Sequence, residues 1–249
     1  MSRNFELLHE AGKVQDMLRQ RLEVTSAPPL VVGGTPAVQI DGLARDEVLK
    51  LVQSLFLATG PQRTRQVVLV GAEPGSGTSW MCAHAAEILA AQGVGSVCAV
   101  DCNLASPALH HQFHVQNHFG LADALLGTEP IRQYVQQLSR PNLWLLSGGS
   151  RSEKSQELLT QEPMHRRMLE LRTEFDYVLL DAAPISASAQ AALLGRWCDG
   201  VALVVKANST NRKDARQAVK DILAANALVL GAVLNQRTFP IPESIYNRL

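Results

Sequence analysis

The chain has 249 residues, 46% of them hydrophobic, enough to bury a full core and better suited to one large α/β domain than to two small ones. Lys plus Arg and Asp plus Glu both number 23, so a formal net charge of zero gives no electrostatic case for nucleic acid or for an anionic membrane surface. No apolar run reaches the ~18 residues of a spanning helix, and the opening Met1-Ser2-Arg3-Asn4-Phe5-Glu6 lacks a signal peptide's apolar segment, so a cytoplasmic protein is expected.

Phe5, Leu8, Ala11 and Leu18 recur at near-helical spacing, which predicts a short amphipathic helix before about residue 24. Thr25 to Pro29 and Gly33 to Pro36 then break regular structure. The expected organisation is a helix and linker over 1–36, one domain over 37–240, and a short tail over 241–249. From Asp46 to Ala58 the apolar positions Val48, Leu49, Leu51, Val52, Leu55 and Phe56 predict a helix with a broad buried face.

Val67-Val68-Leu69-Val70-Gly71 predicts a buried strand. Ala72-Glu73-Pro74-Gly75-Ser76-Gly77-Thr78-Ser79 then forms a Gly/Pro-rich turn, and an alanine-rich helix follows. Strand, tight loop and helix in this order suit phosphate, because small residues let backbone N–H groups converge on anionic oxygens and the helix adds its positive end. Against G-x-x-x-x-G-K-[ST], the stretch supplies Gly77 and Ser79, but the lysine position holds Thr78. An ordinary Gly- and Ser-rich turn between strand and helix is the competing reading.

Further along, strands are predicted at 96–100 ending at Asp101, at 143–146, at 177–180 ending at Asp181, at 200–205, and at 228–234 before Asn235. Helices are predicted at 121–126, 131–138, 153–172 with an interruption near Pro163, 187–196 and 212–226. Short apolar strands alternating with helices predict an α/β fold with a mostly parallel central sheet covered on both faces. Ligands of such sheets bind at the carboxyl ends of the strands. The loop at 71–79, Asp101, Asp181 and Asn235 all fall at that edge. Cys82, Cys98, Cys102 and Cys198 contain no C-x-x-C pair and are expected to be reduced, packed thiols. His110, His111, His114 and His118 cluster, but a polar face accounts for them more simply than a metal site.

Glu73 to Gly77, Val100 to Leu104 with Pro107 and Leu109, Gly120 to Asp123, Asn142 to Gly149, Asp176 to Pro184, Asp199 to Val201, and Gly231 to Asn235 follow one another in order. This ordered set of motifs resembles the cytoplasmic P-loop domain of bacterial tyrosine kinases of the capsule and exopolysaccharide type, relatives of the ParA/MinD ATPases. The resemblance covers about Glu47 to Asn235 and implies ATP or ADP with Mg²⁺ as cofactor. Gly75, Ser76, Gly77, Thr78 and Ser79 would hold phosphate, and Asn235 would lie near adenine. Ser79 and Asp181 would serve the metal, with Asp101 and Asp181 as the catalytic acids. It also implies an inner-membrane polysaccharide co-polymerase as partner, peripheral attachment to the membrane through it, and homo-oligomeric rings.

Departures from the family pattern cluster in the chemistry. Thr78 replaces the lysine, Asn103 a carboxylate and Ala105 an arginine, while Glu73 stands where ParA/MinD relatives carry an extra lysine. The assembly motif E-x-x-R-x-x-R reads Glu47, Lys50 and Gln53, which present no guanidinium fork. Of the tyrosines, only Tyr246 falls in a tail. Thr78 argues against efficient catalysis, so the leading expectation is a pseudokinase or weak ATP binder regulating exopolysaccharide synthesis. One alternative is an active atypical kinase or ATPase drawing its cation from Arg63, Arg65 or a neighbouring molecule. The other is a sulfonucleotide-binding protein, because Pro74 to Trp80 also resembles the sulfotransferase loop P-K-S-G-T-T-W.

Overall fold

The computed structural model describes residues 42–57, 63–150 and 153–236. The expected amphipathic helix, the linker, the tail and Tyr246 lie outside these residues. Helix α1 (Gly42–Val52) runs on into a π-helical turn at Gln53–Leu57. Then come β1 (Gln66–Gly71), α2 (Thr78–Ala91), β2 (Val97–Asp101), α3 (Leu109–Gln112), α4 (Leu121–Leu126), β3 (Gln136–Gln137) and β4 (Leu143–Leu146). The chain continues through α5 (Glu153–Leu158), α6 (Glu162–Glu174), β5 (Tyr177–Ala182), α7 (Gln190–Gly195), β6 (Gly200–Lys206), α8 (Arg212–Ala224) and β7 (Val229–Asn235).

The strands form one seven-stranded sheet in the order β3-β4-β2-β5-β1-β6-β7, parallel except for β3. Alternation along each strand builds two cores. Val68, Val70, Val100, Leu146, Val178 and Leu180 face α4, α6, α7 and α8, whereas Val67, Leu69, Ala99, Leu145 and Leu179 face α1, α2 and α3. A strand buried on both faces has no polar side to show, so it reads as a continuous Val/Leu run. Among the described residues, no helix is long and apolar enough to cross a membrane.

One predicted element is not formed as expected. The helix anticipated over 131–138 is a 3-10 turn at Ile131–Gln133 followed by β3, which pairs antiparallel with β4 through Gln136↔Leu145 and Gln137↔Trp144. Ile131, Val135 and Leu138 have helical spacing and are all buried, but they reach the core from a turn and an extended strand instead. The Leu138 N–H donates to the Leu143 carbonyl at 2.9 Å, so pairing with the open edge of β4 supplies backbone partners that the isolated segment lacks. The 153–172 segment does break where expected, into α5 and α6, with Pro163 in the first turn of α6 where a missing N–H costs little.

Polar clamps fix the amino edge of the sheet. Asp199 accepts the backbone N–H groups of Arg65 (2.6 Å) and Gln66 (2.8 Å) and pairs with Arg172 at 2.9 Å. Asp176 accepts from Ser96 backbone and hydroxyl. Arg167, 1% exposed, ties α6 to the region after α4: it donates to the carbonyls of Ala124, Gly127 and Glu129 and pairs with Glu170 at 2.7 Å. Deleting that guanidinium strands several buried acceptors. Arg167→Ala should therefore cost roughly 3–5 kcal/mol in urea unfolding, and a loss under about 1 kcal/mol would show that water replaces the guanidinium easily.

Candidate functional site

β1 lies between β5 and β6, paired Leu69↔Asp181 on one side and Gly71↔Val204 on the other. The loop that leaves β1 therefore rises from the middle of the carboxyl edge. The Ala72 N–H still donates to Val204 O at 2.9 Å, after which the chain turns back into α2. Two glycines make this turn feasible. A side chain at Gly71 would meet Thr78 Oγ1 at 2.8 Å and the Glu73 carbonyl at 3.1 Å. Gly77 has φ +80°, a left-handed conformation that other residues adopt at a cost, and a Cβ there would collide with the Asn235 amide.

The loop is braced from within and from β7. Ser76 Oγ donates to the Glu73 carbonyl at 2.6 Å, Asn235 Nδ2 to the Ser76 carbonyl at 2.9 Å, and Gln236 Nε2 to the Gly75 carbonyl at 3.2 Å. α2 begins at Thr78 with no side-chain cap, so its first-turn amides keep their donor capacity at the mouth of the loop. Gly75, Ser76, Gly77, Thr78 and Ser79 thus form one cradle, with Asn235 against its floor. Thr78 is buried, its hydroxyl folded back toward Gly71. It contributes no positive charge to the mouth.

Asp101 and Asp181 are register partners on β2 and β5, both fully buried. Asp101 accepts backbone N–H bonds from Asn103 (3.2 Å), Ala108 (2.8 Å) and Leu109 (2.9 Å). Burial still dominates, pushing its carboxyl up from 3.8 to about 6 against the pull of those amides and of His111. Asp181 is held well above the usual carboxylate range, by burial first and then by the neighbouring Asp101 charge, against the nearby Ser79 hydroxyl. Neither oxygen of Asp181 has a hydrogen-bond partner. A fully buried carboxylate left bare beside a serine is an uncommon expense in a folded protein. A hydrated divalent cation would fit here. It would be held by Asp181 and Ser79, and would supply the positive charge that lets both acids ionise.

Glu73, the acid of the loop, is engaged by a neighbouring side chain. Its carboxylate accepts from Thr210 Oγ1 at 2.7 Å and is held below its ordinary value by Thr210, by Ser209 and by the charge of Lys206. Sequence reasoning missed Lys206. Its position is set by the pairing of β6 with β1 and, at Lys206 itself, with Asn235 of β7, although the Lys at the end of an apolar strand, VALVVK, was the available signal.

Other expectations are corrected or reassigned by position. Arg65 stands ahead of β1, at the amino edge, where it donates to the carbonyls of Arg172, Phe175 and Asp176. β1 spans six residues, or roughly 20 Å, so neither Arg65 nor Arg63 reaches the loop in the same chain. Glu47 and Lys50 pair with each other on exposed helix surface at 2.7 Å. His110 packs at a tilt against His111 with ring centroids 3.8 Å apart, and no described group of three or more His, Cys, Asp or Glu is arranged to hold a metal. Cys82, Cys98 and Cys102 are buried free thiols raised by desolvation, with the Asp101 and Asp181 charges adding to the shift at Cys82 and Cys102. Tyr177 is buried edge-on against Phe56 at 5.8 Å.

The family described as "Cellulose biosynthesis protein BcsQ" matches residues 64–232. The chain is 31% identical over 182 residues to "Tyrosine-protein kinase YwqD" of Bacillus subtilis, covering 73% of this chain and 76% of that protein. It is 32% identical over 169 residues to "Putative tyrosine-protein kinase EpsB" of Ralstonia solanacearum, covering 68% of this chain but only 22% of that longer protein. Among solved structures, the chimerical protein CapA2B2 superposes with a TM-score of 0.75 over 85% of this chain and 96% of that one, at 21% identity, a likeness of fold. Where the sulfotransferase likeness rests on one loop, these matches run across most of the domain.

The buried acids make stability pH-dependent. Because the folded-state values lie above the ordinary 3.8, the stabilisation is complete below about pH 3.8 and is lost as pH rises through the folded values, about 6 for Asp101. Asp181→Asn should therefore be more stable than the parent by roughly 1–3 kcal/mol at pH 8 without Mg²⁺, the difference shrinking toward pH 4 in chemical unfolding. A parent that gains on the variant as pH rises would mean that Asp181 is well paired in the native state.

Proposed function

We propose, for a chain that belongs to the bacterial tyrosine-protein-kinase family of ParA/MinD-class P-loop proteins, a nucleotide-binding member whose phosphoryl transfer is silenced. It binds ATP or ADP with Mg²⁺ and works as a regulator of capsule or exopolysaccharide synthesis. The observation that carries this reading is the pairing of a kept loop shape with the missing cation: α2 begins with no side-chain cap on its first-turn amides, while the Thr78 hydroxyl lies toward Gly71. Backbone donors and a helix end suffice to hold a phosphate. Transfer asks for more, because charge builds on the moving group and a positioned cation lowers that barrier.

In this reading each residue has a limited task. Ser79 and Asp181 hold the metal, Asp181 acting through water, and Asp101 holds the loop after β2 in place through its three backbone bonds. Asn235 braces the loop near the base. The domain over 37–240 is the nucleotide module. Its partner is an inner-membrane polysaccharide co-polymerase, which would hold a cytoplasmic protein peripherally at the membrane. Ring assembly is weakened, since Glu47 and Lys50 satisfy each other within one helix. The active-kinase alternative now requires a cation from another molecule, because Arg63 and Arg65 stand at the wrong edge.

Isothermal titration and thermal unfolding test binding, and a radiolabel autophosphorylation assay tests transfer. ADP with Mg²⁺ at 100 times its Kd should stabilise the protein by ~2.7 kcal/mol, with tyrosine labelling at background, and Thr78→Lys should raise any turnover. Robust labelling of the parent chain would overturn the silenced reading, and absence of any nucleotide effect would overturn the binding one.

A further inference from the structure

β6 ends beside the loop. Val204 is opposite Gly71, and the bond from the Ala72 N–H to Val204 O is the last rung between the two strands, so Lys206 emerges two residues beyond it at the carboxyl edge. Strand alternation gives its direction. Ala202 packs in the layer of α1 and α2 and Val205 packs in the opposite layer, so Lys206 falls on the face occupied by α2, whose uncapped amides open the cradle. Its register partner on β7 is Asn235, the residue that holds the Ser76 carbonyl. No described acid forms an ion pair with Lys206; the nearest acid of the loop, Glu73, is committed to Thr210 at 2.7 Å.

A second feature independently points to a ligand at this edge. Asp181, on the other neighbour of β1, is 1% exposed with both oxygens unpartnered. The loop is therefore flanked by two acids on its β5 side and by a cation on its β6 side. A metal-bound polyphosphate has the matching polarity, with its metal toward the acids and its remaining phosphate charge toward the amides and the cation.

We propose that Lys206 is the phosphate-contacting cation of this site, giving from the neighbouring strand part of the charge compensation that Thr78 does not supply. The ligand class is a nucleoside di- or triphosphate, and the inference rests on the nucleotide-binding reading above. An ammonium on a flexible four-carbon stem acts as a movable point charge, so it can hold a phosphate without being placed to follow a transferring one. That division fits a protein that binds nucleotide without turning it over.

Titration of the full chain with ADP and Mg²⁺, and separately with adenosine, tests this. Lys206→Met should weaken ADP roughly 10- to 100-fold while leaving adenosine unchanged. Lys206→Arg should retain most of the affinity, and adding Thr78→Lys to Lys206→Met should restore it. If Lys206 served only to neutralise Glu73, then Glu73→Gln would rescue Lys206→Met; no such rescue is expected, and its appearance would overturn the proposal. Should the methionine variant melt early, Lys206→Gln keeps a polar end for the same comparison. A parent that binds ADP and a Lys206 variant that binds it equally well would sink Lys206 alone, whereas a parent that binds neither ligand would sink the nucleotide reading and Lys206 with it.

Discussion

Parallel pairing of β1 with β5 on one side and β6 on the other is the constraint from which the site follows. Hydrogen bonding in parallel strands fixes which residues end level with one another. Asp101 meets Asp181 and Gly71 meets Val204 because the ladders leave no other register. Shifting any of these strands by one residue would invert both cores, which several kcal/mol of buried valine and leucine oppose. The polar clamps at the amino edge, Asp199 with Arg172 and Asp176 with Ser96, secure the same register from the far end. Acids, loop and cation thus share one edge because the apolar faces must match.

Charge at that edge is unevenly settled. Glu73 is satisfied by Thr210, and Asp101 by three backbone N–H groups, but Asp181 is buried without a partner. Burial and then the Asp101 charge hold the Asp181 carboxyl well above the usual carboxylate range, which a cation would relieve. On the nucleotide-binding reading proposed above, such a site would prefer a metal-bearing anion to a bare one, since the metal would relieve the acids while the phosphate met the amides. Loss of the lysine position removes one charge from this balance without disturbing the backbone, because Gly71, Gly75 and Gly77 carry the shape of the loop. Geometry and charge are therefore separable here, and they have parted.

The sequence showed the scaffold well because buried parallel strands have an unmistakable pattern. Val67 to Val70, Val97 to Val100 and Tyr177 to Leu180 could be little else between helices, and the acids at their ends followed. The 131–138 segment misled because Ile131, Val135 and Leu138 satisfy a helical period while the open edge of β4 offers backbone partners, a tertiary fact with no local signature. Arg63 and Arg65 misled for a simpler reason: nearness to the loop in sequence became distance in space, one full strand away. Lys206 went unnoticed for the converse reason, lying 128 positions beyond Thr78 although β6 ends beside the loop that leads to it. Asn235 was anticipated at the edge, but its grip on the Ser76 carbonyl depends on side-chain placement that spacing alone does not give.

The central claim is that a loop deprived of its lysine still shapes a phosphate site. A crystal structure of the protein grown with saturating ADP and Mg²⁺ tests it most directly. The account predicts density for the β-phosphate within hydrogen-bond reach of the amides at 77–79, with the metal between Ser79 and Asp181. An empty cradle under those conditions, or nucleotide bound elsewhere on the sheet, would contradict it.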